Sequence, residues 1–600
     1  MGFLKNEIMM RESANIPDKQ HNAELAAIFH RMASCYRYKG KDERFRALAY
    51  DGAARTLSNL KEDISQYATD VKSLDQLSGI GESIAEKILE YLKTGHIKTY
   101  ELLKKEVPQD LLDLMDINGF GPATIKTLHE KLKIDNREDL IAAIEAGKLV
   151  KLKGFGAKKI ENMKRGLKLF KESHTRMLLT DAIQVGGEIL HEVLKIPGIA
   201  KAELAGSLRR KKETIGDIDI IASGEKKNWK KIVAKFISIP QCGRVLASGE
   251  TKASILLKKN NVQVDMRLVN DDEYGSALLY FTGSKEHNIK LRLLAKEKGW
   301  KLNEYGLFDE KTDKRLAGKT EEEVYHHLGL QYIPPELREM RGEVEASVKK
   351  KIPALVELQD IKGDMQMHST WSDGTEKIET IATYVLKEFP RYDYIVITDH
   401  SPSERLAGGL KPAAFKKQFG EIEKLNKRLG KDFVKKGVEV DILANGSLDL
   451  PDDLLQQFDW VVASIHSGFT KDNTERLIQA CRHPSVHCIG HPSGRLIGKR
   501  EAYPVDWEKL FDQAASTGTA IEINAQPDRL DLKDDLVKKA IEKGVMITIS
   551  TDSHALSQLE NISLGISVAR RGWCGKANVL NTGSWKVVEQ FKKNKRKVLQ

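Results

Sequence analysis

"IAKAELAGSLRRKKETIGDIDIIASG", residues 199–224, decides how this chain reads. Polar and apolar residues alternate in "GDIDII", so a strand here sets Asp217 and Asp219 on one face, where two carboxylates can share divalent cations. Just upstream, Gly206 and Ser207 end an apolar run and lead into Arg209 and Arg210. That combination suits a phosphate: glycine lets backbone N–H groups come close, and guanidinium forks pair with phosphate oxygens. A second alternating run, "NNVQVDMRLV" (260–269), adds Asp265. An acid-decorated edge strand would also carry Asp-x-Asp, but it has no use for the glycine turn and the arginines.

Farther on stands "YFTGSKEHNIKLRLLAKEKGWKLNEYGLF" (280–308). The series GS…RR, GDID, VDMR and YFTGS, in this order, resembles the family X DNA polymerases, the group containing polymerase β, from residue 22 to about residue 335. The resemblance implies that Asp217, Asp219 and Asp265 hold two Mg²⁺ ions, which activate a primer 3′-hydroxyl and stabilise the departing pyrophosphate. It implies that Gly206, Ser207, Arg210 and Gly216 bind the triphosphate of a dNTP. Tyr280, Phe281, Thr282 and Gly283 would lie against its sugar, although packing alone would also occupy the two aromatic rings. Asn288 and Arg292 would sit near the base pair and template. A polymerase β-like α+β palm (181–270) and thumb or nucleotide-selection domain (271–335) follow from the same match.

Upstream, three segments rhyme: "LDQLSGIGESIAEKI" (74–88), "LLDLMDINGFGPATIKTL" (111–128) and "LVKLKGFGAKKIENM" (149–163). Each has an apolar helix end, a Gly-apolar-Gly turn and a second helix. The glycines Gly79, Gly81, Gly119, Gly121, Gly154 and Gly156 free backbone N–H groups to meet a phosphate at a helix N-terminus. A single such turn also serves helix packing; three with the same flanks look like helix-hairpin-helix units that grip DNA of any sequence. We expect a short N-terminal tail (1–21), a lyase-like hairpin domain (22–100) and a DNA-binding fingers domain (101–180). By the family match, Lys87 stands where an amine forms a Schiff base with an abasic sugar. Ser83 replaces a second lysine of polymerase β, and Phe45 falls near its histidine. A solvated helix lysine is the other reading of Lys87, since the sequence beside it shows no cationic neighbour or burial that would activate the amine.

Downstream, the proline-marked, charged stretch 332–363 contains the expected inter-domain linker (336–360). Beyond it (361–600), short apolar strands alternate with helical segments, the pattern of parallel βα units. The strands "GDMQMHS", "YDYIVITDH", "KGVEVDIL", "DWVVASIHS", "VHCIGHP", "AIEINA" and "VMITISTDSH" nearly all finish in a potential metal ligand: His368, His400, Glu439, His466, His491, Glu522, Asp552 and His554. In a β/α barrel these strand ends converge on one mouth. In the first strand Asp364, Gln366 and His368 share a face, like half of a metal site in which Gln366 brings only a weak carbonyl ligand. The set resembles the PHP (polymerase and histidinol phosphatase) domain, a distorted (β/α)7 barrel that is fused behind the polymerase in the bacterial-type PolX arrangement. The resemblance implies as many as three Mn²⁺ or Zn²⁺ ions on Gln366, His368, Asp373, His400, Glu439, His466, His491, Asp552 and His554. Gln366 stands where the family usually has histidine.

Two features point nowhere in particular. "CRHPSVHC" (481–488) mimics a zinc set but spreads over both faces of a strand. The last residues, "KKNKRKVLQ", read as a solvated basic tail.

Composition agrees with a multidomain nucleic-acid enzyme. The 97 Lys and Arg against 86 Asp and Glu give +11 and a pI near 9.0, which suits a polyanionic partner. Five cysteines form no CxxC pair, and residues 1–22 hold no apolar core of signal-peptide length, so a reducing cytoplasm is expected. No run approaches the roughly 18 apolar residues of a membrane span. The expected protein is a monomeric, template-directed, gap-filling DNA polymerase with a weakened PHP 3′-5′ exonuclease, acting in base excision repair. A polymerase with a structural barrel and a non-catalytic DNA-end binder remain the alternatives.

Overall fold

The structure, a computed structural model, describes residues 20–599 except Lys61, Ser78, Asp113, residues 116–119 and Thr175. The expected tail, 1–21, therefore lies almost wholly outside the described residues, as does Gly119.

The N-terminal part is helical, and the middle residue of each hairpin turn explains the sequence rhyme. Ile80, Phe120 and Phe155 are buried in one apolar cluster that runs from Leu25 to Met163. The apolar residue plugs the shared core, while Gly79, Gly81, Gly154 and Gly156 keep backbone at the surface. Gly81 and Gly121 are the N-caps of helices Glu82–Thr94 and Pro122–Leu132, and neither supplies a side-chain cap, so first-turn N–H groups stay uncapped in both, those beyond Pro122 in the second.

In the segment expected to be the palm, five strands make one sheet in the order Ile199–Leu204, Asp217–Gly224, Gln263–Val269, Lys252–Leu257, Cys242–Ser248. Strand Asp217–Gly224 runs parallel to Gln263–Val269, and Asp219 lies directly beside Asp265. The apolar alternates Ile218, Ile220, Val264 and Met266 face the core, which forces the acids to the other side. The thumb combines helices Tyr274–Thr282 and Lys285–Glu297 with a small three-stranded sheet.

The stretch expected to be a linker is packed through its charges. Arg338 is fully buried, and its Nη1 donates to Glu321 Oε1 at 2.6 Å, while Arg209 grips the same carboxylate with two bonds of 2.8 Å. Burial alone would raise the Glu321 carboxyl, but Arg338 and Arg209 outweigh it and hold it well below the carboxylate range. Removing the shared anion strands two guanidinium groups, so Glu321→Ala should cost about 3–5 kcal/mol, read as faster hydrogen exchange of the thumb amides. Because the folded carboxyl is the stronger acid, this stabilisation is complete above the unfolded value of about 4.3 and drains away as pH falls through the folded one.

The C-terminal part is a seven-stranded parallel sheet whose strands follow chain order, from Gly363–Met367 to Ile547–Ser550. It closes into a barrel where the His368 amide donates to the Ser553 carbonyl at 2.9 Å and Thr551 bonds to Asp364 through its amide and hydroxyl. Asp364 is thus a clasp between first and last strands. The metal-binding role that alternation suggested for it does not hold, because its oxygens are taken by Thr551 and the Gln366 amide.

The basic tail also needs correction. Trp585–Leu599 is a helix, and Lys595 is buried, donating to the Cys481 carbonyl at 2.7 Å and to the Thr519 hydroxyl. The aliphatic stem packs inside while two oxygens satisfy the ammonium. Burial lowers its pKa to about 8. One apolar cluster is continuous through palm and barrel. Among the described residues, no helix is long and apolar enough to cross a membrane.

Candidate functional site

In the palm, ligand atoms of Asp217, Asp219 and Asp265 lie within 4.8 Å of one another. Burial and the neighbouring charges of Asp217 and Asp265 push the Asp219 carboxyl up to about 7. A cluster that resists its own ionisation is a natural seat for divalent cations, and its oxygens fit them. Asp265 is steadied by Gln263 Nε2 at 2.9 Å and by the Ser254 hydroxyl. Gly206, at φ 58°, packs against this cluster so closely that a Cβ there would fall 2.1 Å from Asp219 Oδ2. The short helix Gly206–Arg209 therefore begins against the acids, with Ser207 beside it and Gly216 just before the acidic strand.

Arg210 follows that helix. Its Nε donates to Glu339 at 2.9 Å and its Nη1 to the Thr282 carbonyl. Thr282 and Gly283 end helix Tyr274–Thr282, so the structure gathers them with Gly206 and Arg210. Tyr280 and Phe281 meet edge to face at 5.1 Å, Arg267 lies over Phe281, and Asn288 Nδ2 donates to the Tyr280 carbonyl at 2.6 Å. Arg292 is exposed two turns along the next helix. Lys87, distant in sequence from all of these, is half-buried and donates to the carbonyl and hydroxyl of Ser83, both at 2.9 Å. Phe45 is 84% exposed, which no packing role explains.

The barrel mouth brings its residues together as the strand ends implied. One group is His368, Asp373, His400 and His554; a second is His400, Glu439 and His466; a third is His368, Glu439 and Asp552. His491 Nε2 donates to Glu439 Oε1 at 2.9 Å. Among the described residues, the buried Nδ1 atoms of His368, His400 and His491 have no hydrogen-bond partner, which fits cation binding. Burial acts to raise the Glu439 carboxyl, but His400 and hydrogen bonds from His368, His466 and His491 hold it well below its usual range. Burial holds the His400 imidazole down to about 3, the neutral form that ligates metal.

Gln366 is the exception. It is buried in the third group, where Nε2 donates to Glu439 Oε2 at 3.0 Å and Asp552 Oδ1 at 3.4 Å, while Oε1 has no partner among the described residues. The amide thus offers hydrogens to the carboxylates that a cation would otherwise bridge. Glu522, the other strand-end acid, is buried beside the group and accepts from the His491 amide at 2.7 Å; burial and the Asp552 charge keep its carboxyl well above the usual range.

Sequence reading missed the supporting layer. Asp441 accepts from His466 Nδ1 at 2.7 Å, Asn524 Nδ2 donates to Asp552 Oδ2 at 2.9 Å, and buried Asp399 anchors the turn before Asp373 through Ser369 and Ser372. Each lies one or two residues from a strand-end acid or histidine, which was the available signal. Cys481, His483, His487 and Cys488 form no such group among the described residues.

Comparison with known proteins agrees with both halves. A profile of the DNA polymerase beta thumb matches residues 277–339, a helix-hairpin-helix domain matches 20–97, and a SAM-like helix-hairpin-helix tandem matches 111–169. A probable phosphatase of Thermoanaerobacter sp. (strain X514) is 33% identical over 217 residues, which are 34% of this chain and 84% of that protein. The DNA polymerase/3′-5′ exonuclease PolX of Bacillus subtilis (strain 168) is 38% identical over 577 residues, 96% of this chain and 99% of that protein. With a cation-ready acid triad in its palm and a histidine-lined barrel behind it, this chain belongs to the PolX family of DNA polymerase/3′-5′ exonucleases.

Proposed function

We propose that the chain fills short gaps in DNA from dNTPs, using two Mg²⁺ ions on Asp217, Asp219 and Asp265, and trims 3′ ends with Mn²⁺ or Zn²⁺ in the barrel. The observation that carries this reading is the triad within 4.8 Å, backed by the glycine turn at Gly206. When bound, the palm ions would lower the pKa of the primer hydroxyl and neutralise charge on the leaving pyrophosphate. The chain's own residues do the rest. Gly206 and Ser207 bring backbone N–H groups to the triphosphate, and Arg210 supplies a guanidinium already held at two nitrogens. The Tyr280 to Gly283 corner borders the sugar, with Gly216, Asn288 and Arg292 completing the pocket. In the barrel, His368, Asp373, His400, Glu439, His466, His491, Asp552 and His554 hold the ions, with Gln366 as a poor ligand.

Base excision repair in the cytoplasm by a monomer is the setting we propose, with the domain limits drawn from the sequence. A polymerase with a structural barrel is the second reading, and Gln366 favours it. A labelled gapped primer-template, incubated with Mg²⁺ or Mn²⁺ with and without dNTPs, separates them: extension alone supports the second, extension plus degradation the first, and neither leaves a DNA-end binder.

The uncapped helix Glu82–Thr94 would hold the 5′-phosphate across a gap. Ser83 is exposed at its N-terminus, where glutamate is well tolerated yet competes with phosphate. Ser83→Glu should reduce the preference for 5′-phosphorylated gaps about fivefold, the worth of roughly 1 kcal/mol at a helix terminus. An unchanged preference in single-turnover filling would move that contact elsewhere. Lys87→Ala should likewise remove borohydride-trapped adducts with abasic DNA; trapping equal to the parent assigns the amine to another residue.

A further inference from the structure

The seam between palm and barrel contains one residue that reaches the nucleotide site from outside the polymerase half. Arg571 ends helix Ile562–Arg571 of the barrel and is 5% exposed. Its Nη2 pairs with Asp534 Oδ2 at 2.7 Å, inside the barrel. Its Nη1 crosses the seam, donating to the backbone carbonyl of Arg210 at 2.6 Å and to Glu339 Oε1 at 3.1 Å. The same Glu339 oxygen accepts from Arg210 Nε at 2.9 Å. Arg571 therefore holds Arg210 twice, once by its main chain and once through a shared carboxylate.

What this leaves of Arg210 matters. Nε and Nη1 are engaged, and a Cβ on Gly283 would sit 3.1 Å from Nη1, so the corner is closed on that side. Among the described residues Nη2 makes no hydrogen bond, and the side chain is 11% exposed. Arg210 also stands one turn from the acid triad: its amide donates to the Gly206 carbonyl at 3.3 Å, and Gly206 packs on Asp219. A long, rotamer-rich side chain has been fixed with one donor nitrogen to spare beside the cation seat. Fixing it in advance removes an ordering cost that binding would otherwise meet.

We propose that Arg571, from the C-terminal barrel, is a positioning residue for nucleotide addition: with Glu339 it sets Arg210 in the pose that receives the triphosphate of the incoming nucleotide. This rests on the reading that Arg210 meets the triphosphate. The barrel then contributes to the polymerase site by contact, apart from any chemistry at its own mouth.

Full-length protein should be assayed for single-nucleotide gap filling as Arg571→Met, Glu339→Gln, Arg210→Ala and the Arg210→Ala/Arg571→Met double variant. In Arg571→Met, Asp534 keeps Arg341 at 3.0 Å and Glu339 keeps Arg210, so no acid is stranded. The expected result is a dNTP KM raised about tenfold by Arg571→Met and about threefold by Glu339→Gln, with kcat within about twofold. Exonuclease rate on single-stranded DNA, measured on the same samples, should not move. The double variant should be no worse than Arg210→Ala alone, because Arg571 acts through it. Additive losses, or kcat and exonuclease falling together, would overturn the proposal. If Arg571→Met does not fold, Glu339→Gln with Arg210→Ala makes the same cycle. An unchanged dNTP KM in Arg210→Ala would instead sink the triphosphate reading of Arg210, and the inference with it. A raised KM in Arg210→Ala beside a normal one in Arg571→Met and Glu339→Gln would sink the inference alone.

Discussion

Asp217→Ala and Asp265→Ala should each abolish nucleotide addition while DNA affinity stays within about twofold. Both carboxylates lie in a cluster whose oxygens are within 4.8 Å of one another, too crowded for three charges without cations. Losing one ligand removes several kcal/mol of transition-state stabilisation, about a thousandfold in rate. Affinity for DNA comes from cationic and hairpin contacts with phosphates, and deleting an anion cannot weaken those. Primer extension and a filter-binding isotherm on the same gapped duplex check both halves. Normal extension by either variant ends the assignment of the palm as the polymerase centre.

The second large effect belongs to Gln366. Its amide donates to Glu439 and Asp552, neutral hydrogen atoms standing against two carboxylates. An imidazole there would offer a lone pair in place of those hydrogens, and the remaining donors, His368, Glu439 and Asp552, already converge. Gln366→His should therefore raise metal content toward one further ion per chain. The gain in affinity should at least match the about 10–100-fold that a change outside the ligand set usually brings. Exonuclease activity on single-stranded DNA should rise with it and depend less on added Mn²⁺. His400→Ala should erase the activity that exists, since His400 belongs to two of the four groups found there among the described residues. Elemental analysis beside the rate measurement decides the matter. A parent chain that holds no metal, with neither quantity changed by Gln366→His, makes the barrel structural.

Much of this was legible before any coordinates. Strand alternation placed Asp217, Asp219 and Asp265 because period-2 patterns report which side a residue faces. The seven barrel strands announced themselves by apolar runs ending in ligand types, and the observed sheet keeps that order. What stayed hidden depended on partners far along the chain. Glu336 and Glu339 looked like solvated linker acids, yet their arginines lie 234 and 232 positions away. Lys595 looked like tail, because a buried ammonium is recognised only by the carbonyl it meets. Alternation put Asp364 and Gln366 on one face and could not say that one would clasp a strand and the other turn its NH2 toward two acids.

The packing of Glu336 and Glu339 against the barrel bears on how the protein is made. Glu336 and Glu339 leave the ribosome long before Arg570 and Arg571, and the palm meets the barrel's share of their common core only after the barrel is translated. A chain released early would leave Glu336 without Arg570 beside an uncovered apolar face, a state that chaperones and proteases clear. The seam between polymerase half and barrel is therefore complete only once helix Ile562–Arg571 has been made.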